Sequence, residues 1–147
     1  IERSNRRAAD KLLRGIIADR FEEVWSYVSR LQLDMVNSGG IEHVDDMESA
    51  AIKLRQFIDR VRTASYGYSS LFEAVKINEN ELAQLYQYDL EMLEMVDLVR
   101  SAAENVEASM GTDGLKAAIR NLVTQAQAAV NAFNHRSQVI LGTSSDM

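Results

Sequence analysis

The sequence predicts an all-α fold, an antiparallel up-down-up-down four-helix bundle with long helices, and three observations carry that prediction. The 147 residues contain no proline, the residue that breaks helix interiors and normally punctuates loops. Apolar residues recur at steps of three and four along four long stretches, which is the spacing of one helix face. Between those stretches stand short turn-forming strings such as NSGG and GTDG, and short loops between long helices make sequential helices antiparallel. A chain of this length can bury a core without staples, so we expect one domain over residues 1–142 and a flexible tail at 143–147. A pair of long hairpins that completes its core by dimerising is the alternative architecture.

The first helix is expected from Ser4 to Asn37. Its seam is Ile17, Phe21, Val24, Val28, Leu31 and Met35, with Leu12, Leu13 and Ile16 broadening it near the start. Asp45 followed by Glu48 has the spacing of a capping box, and opens a second helix with Met47, Ala51, Leu54, Ile58, Val61, Ser65, Tyr68, Phe72 and Val75 on one face. Within it, TASYGYSS is weak for a helix, because glycine costs about 1 kcal/mol against alanine and the hydroxyls compete for backbone bonds. A break near Gly67 is therefore expected as a possible feature of that helix.

The third helix, from Leu82 to Met110, holds the longest pattern: Leu82, Leu85, Asp89, Met92, Val96, Val99, Ala103, Val106 and Met110. Asn78 and Glu81 mark its start and Gly111 its end. A fourth helix follows with Leu115, Ile119, Leu122, Ala126, Ala129, Phe133, Arg136 and Ile140, opened by Asp113 as cap and stopped at Gly142. These helices of about 27 to 34 residues would each be roughly 40–50 Å long, with coiled-coil-like packing from the heptad-like seams.

Asp89 is the one seam position of the third helix that is not apolar. Turning helices three and four between Met110 and Leu115 sets Asp89 opposite Arg136. Turning helices two and three around Ile77 sets it opposite Ser65, and Tyr68 opposite Tyr86. A polar layer of Ser65, Tyr68, Tyr86, Asp89 and Arg136 is thus expected, either as a buried charge pair that fixes register or as a small polar ligand site.

The charge is −6 overall and unevenly spread. From Asn78 to Gly111 eight acids face Arg100 alone, so Glu91, Glu94, Asp97 and Glu104 are candidates for an acidic partner face. From Ile1 to Arg20 six bases stand against three acids, and Arg3, Arg6, Arg7, Lys11 and Arg14 form a candidate basic stripe for a partner or an anionic membrane surface. Nucleic acid is disfavoured by the acidic balance.

There is no cysteine, which excludes disulfides and thiolate chemistry. Neither histidine completes a Glu-x-x-His pair, since His43 follows Glu42 and the residue three before His135 is Ala132. No nucleophile elbow or phosphate-cradling loop is present, and Met35, Met47 and Met110 read as core filler. No enzyme activity, metal or cofactor is expected. No apolar run is long enough for a membrane span, and a cytoplasmic location is expected, membrane-associated if an anchor lies outside this chain, which opens on Ile1 rather than methionine. The functional expectation is a helical-bundle interaction or scaffold module that self-associates or docks a helical or basic protein. The alternatives are the soluble domain of a membrane-associated sensor or remodelling protein, and a small-ligand binder.

Overall fold

The computed structural model describes the backbone of residues 2–38, 40–75 and 79–145, and the side chains of residues 12, 14–38, 40–63, 83 and 86–135. Among the described residues four helices follow one another, α1 (Glu2–Asn37), α2 (Val44–Val75), α3 (Glu79–Ala108) and α4 (Leu115–Ser145), with a 3-10 turn, Ile41–His43, leading into α2. No strand occurs among the described residues. The fold is the all-α four-helix bundle that the periodicity predicts.

The seams close on one core. It runs along α1 through Ile17, Phe21, Val24, Val28, Leu31 and Met35, and meets Met47, Leu54, Ile58 and Val61 of α2, Met92, Val96, Val99 and Val106 of α3, and Leu115, Ile119, Leu122 and Phe133 of α4. Phe57 joins three helices: its ring lies edge-on to Phe21 at 4.6 Å and to Phe133 at 5.9 Å between centroids. Such aromatic pairs contribute about 0.5–1.5 kcal/mol beyond the area they bury.

The lateral order of the helices departs from the sequence-based layer. α1 packs on α2 and α3, and α4 packs on α2 and α3, so α2 and α3 stand diagonally across the bundle. Each flank carries its own polar pairs. On α1 and α2, the Arg55 guanidinium donates to both carboxylate oxygens of Glu22 at 2.6 and 3.0 Å, and Arg62 reaches Asp19 at 3.1 Å and Glu22 at 3.2 Å. On α1 and α3, Arg100 meets Glu23 at 3.7 Å and Arg30 meets Glu107 at 3.8 Å. On α2 and α4, Lys53 donates to Gln127 and Arg60 to Asn134, each 74 residues further on. Sequence numbers rise together in the last two sets, so α1 runs parallel to α3, and α2 to α4. Two antiparallel hairpins therefore lie side by side, both turning at the same pole.

Several helix ends differ from expectation. α2 continues through Gly67 to Val75 without a break, because one glycine weakens a helix without forbidding it. Asp45 is not the cap of α2: the turn at Ile41–His43 runs straight into the helix, with Val44 N–H donating to Ile41 O, and Asp45 and Asp46 lie inside the first turn, where carboxylates suit the helix dipole. Asp113 is not the cap of α4. Gly114 opens that helix by accepting from Ala118 N–H at 3.1 Å, while Thr112 Oγ1 takes the Gly114 N–H at 3.2 Å. α4 also runs past Gly142 to Ser145, since no proline stops it. Asn78 lies outside the described residues. Gly111 does take the left-handed conformation, φ +77°, just past the end of α3.

The start of α1 is turned relative to expectation. Leu12 and Ile16 do not broaden the seam: they are 68% and 39% exposed, whereas Arg14 is buried, 1% exposed. The steps that lead from Met35 back to Ile17 land next on Arg14, so the heptad seam carries it inward.

Candidate functional site

The outer face of α3 follows from its heptads. With Asp89, Met92, Val96, Val99, Ala103 and Val106 turned into the core, the intervening positions must face solvent or a neighbouring helix. Glu91, Glu94, Asp97 and Glu104 are all exposed, and among them Leu90 and Leu98 are 47% and 54% exposed. The single base of this stretch, Arg100, is engaged by Glu23 from α1 and by Asp97 one turn away at 3.5 Å. The four acids are therefore on the surface, and Leu90 and Leu98 stand exposed among them.

Where this face meets α1, Tyr27 donates its hydroxyl to Glu107 Oε2 at 2.6 Å, and the Arg30 guanidinium lies over the Tyr27 ring at 4.9 Å. Burial, then the hydrogen bond to the Glu107 carboxylate, pushes the Tyr27 hydroxyl up to about 12. On the other flank of α1, the hydrogen bond from Arg55 holds the Glu22 carboxyl below its ordinary value. Both act as ties between helices, Tyr27 through Glu107 and Glu22 through Arg55 and Arg62.

The expected polar layer is partly rearranged. Asp89 is fully buried and Tyr86 half-buried, and both engage other groups. Tyr88 hydroxyl and His135 Nε2 are 3.1 Å apart with their rings edge-on at 5.3 Å, which brings Asp89 level with the part of α4 that holds Arg136. The side chains of Arg136, Ser65 and Tyr68 lie outside the described residues. Ser65 and Tyr68 were placed by facing α2 against α3, and those helices are diagonal. Instead, the pairs of Glu23 with Arg100 and Arg30 with Glu107 set the alignment of α1 on α3, and by it Arg14 lies within one turn of Asp89 in height. Among the described residues these are the two charged side chains buried in the core. Arg14 Nε and Nη1 are buried without a hydrogen bond, while the side chain as a whole is engaged by a neighbour.

Arg14 thus leaves the proposed basic stripe. The side chains of Arg3, Arg6, Arg7 and Lys11 lie outside the described residues. The sequence signal for Arg14 was present, since it stands three residues before Ile17 in strict continuation of the seam.

Among the described residues, clefts lie toward the pole where both hairpins turn. One of about 300 Å³ is lined by Asp46, Ser49, Lys116, Ile119, Arg120 and Val123, and another of about 270 Å³ lies between Met35, Gly40, His43, Met110 and Asp113. Among the described residues no group of three or more histidine, aspartate or glutamate side chains could hold a metal ion. No described helix is long and apolar enough to cross a membrane. Comparison of the chain with family models, curated proteins and solved structures finds no match.

Proposed function

We propose that this protein is a non-enzymatic interaction module that docks a protein partner on the acidic outer face of α3. The observation that carries the reading is that Glu91, Glu94, Asp97 and Glu104 are exposed together with Leu90 and Leu98, on a helix whose one base is already engaged by Glu23 and Asp97. Acidic groups around apolar points suit a basic amphipathic helix, which would lay its apolar row on the leucines and its lysines or arginines on the carboxylates. Charge would then steer the encounter, and covering the leucines would add apolar burial.

The test is capture of a basic amphipathic peptide of alternating leucine and lysine turns, measured by fluorescence anisotropy. Binding should weaken at high salt as the charges are screened, and should fall at least tenfold when Glu91, Glu94 and Asp97 are all changed to Lys. Capture indifferent to that reversal would remove this face from consideration. The membrane reading is weakened by the burial of Arg14, which takes one base from the stripe.

A further inference from the structure

The flank between α1 and α3 repeats by heptads. Glu23 and Arg30 on α1 pair with Arg100 and Glu107 on α3, and one heptad earlier on both helices stand Ile16 and Leu93. Leu93 packs against the core, whereas Ile16 is 39% exposed. One turn away on either helix stand Leu12 and Leu90, also exposed. Ion pairs close this flank twice, and at its third repeat the surface is apolar. Leu12, Ile16 and Leu90 thus expose neighbouring apolar side chains on one strip. Of the exposed charges beside the strip, Asp19 and Glu23 on α1 are held by Arg62 and Arg100, and Asp97 on α3 also meets Arg100; Arg20 on α1 and Glu94 on α3 are left to meet charges from outside. The same heptad alignment sets Arg20 level with Asp97.

We infer that this strip is covered by a second copy of the chain, in a two-fold dimer whose axis runs along the bundle, so that α1 of each copy lies against α3 of the other. The inference rests on reading the α3 face as a protein-docking surface, and names its partner. A two-fold axis along the bundle preserves height. Leu12 and Ile16 therefore meet Leu90 of the second copy, and Arg20 meets Asp97 and Glu94 of the second copy. The patch is complementary to itself, apolar to apolar and basic to acidic, which is what an isologous interface requires, and each contact is made twice. An axis perpendicular to the bundle through the strip would reverse heights and move Arg20 roughly 18 Å from Asp97 of the second copy, at 1.5 Å per residue.

Light scattering on the intact chain should report a particle of twice the 16.5 kDa chain mass. The double substitution Leu12→Asp, Ile16→Asp should return it to the single mass with its helical circular dichroism retained, and should remove the concentration dependence of the melt that a dimer confers. The chain has no cysteine of its own, so Arg20→Cys protein mixed with Asp97→Cys protein should yield a disulfide-linked pair on mild oxidation. A wild-type chain of single mass overturns the dimer. So does a dimer that survives the double substitution, or a mixture that fails to cross-link. Because Leu12 and Ile16 lie on α1, outside the reversed carboxylates, a single-mass chain that still captures the basic peptide overturns the dimer and leaves the docking reading standing. A single-mass chain that instead floats with anionic vesicles, and loses this with the same double substitution, overturns it in favour of a lipid surface.

Discussion

Two residues show how one heptad position decides between a tie and a burden. Tyr27 and Glu107 hold α1 to α3 through one hydrogen bond that exists only while the phenol keeps its proton. The folded state raises that proton's pKa from the ordinary value of 10 to about 12. A group raised on folding contributes its stability fully below the unfolded value and loses it as pH climbs through the folded one. The contribution of Tyr27 should thus be intact up to pH 10 and gone by about pH 12. Absorbance titration should show the Tyr27 phenol ionising near pH 12 in the folded protein, and Glu107→Gln should lower that value. Arg14 and Asp89 pose the opposite case, two opposite charges inside an apolar core. Removing either alone, as Arg14→Met or Asp89→Leu, should cost about 3–5 kcal/mol in a denaturant melt by stranding the other, while the double change should cost far less than the sum. Additive losses would mean that the two charges answer to different neighbours.

At the level of the helix, space and backbone conformation separate two glycines. A Cβ on Gly15, inside α1, would meet nothing within 4 Å, and the same is true of Gly111. Gly111, however, has φ +77°, where a Cβ crowds the backbone at a cost of roughly 1–2 kcal/mol. Gly15→Ala should therefore raise stability by up to about 1 kcal/mol through the helix it favours, and Gly111→Ala should lower it, both read from thermal melts. The helices themselves were legible in the sequence, because their seams step by three and four without a proline to interrupt them. Their ends were less so. Asp45 and Asp113 have the chemistry of caps, but a 3-10 turn runs straight into α2 ahead of Asp45, and Thr112 rather than Asp113 accepts from the backbone where α4 opens. Arg14 was misplaced because its charge outweighed its position in the reading, although the seam pointed straight at it. The acidic face was legible, since eight acids against one base in a helix leave few ways to hide them.

For the molecule as a whole, the order of helices around the core was not legible from loop lengths. Short loops fix which helices form hairpins, and α1 with α2 and α3 with α4 do so. They do not fix how two hairpins stack. That choice is written in the flanks, where Glu23 and Arg30 complement Arg100 and Glu107 one heptad apart, and where Lys53 and Arg60 match Gln127 and Asn134. Exposed pairs of this kind are each worth little in energy, yet a repeat of matched pairs favours one stacking over another. It leaves the third repeat, at Ile16 and Leu93, without a charge pair, and there the surface becomes apolar.

The side-by-side hairpins also imply a history for each folding event. Contacts inside a hairpin join residues close in sequence to its turn and close cheaply, whereas those between hairpins span more than half the chain and come late. The seam that joins α1 to α3 and α2 to α4 should be the last to set. Glu23→Gln or Gln127→Ala should therefore speed unfolding in stopped-flow experiments and leave the refolding rate nearly untouched, whereas Arg55→Ala, within the first hairpin, should slow refolding. A molecule built this way comes apart along its length, as two leaves opening on a common spine, before either leaf unfolds.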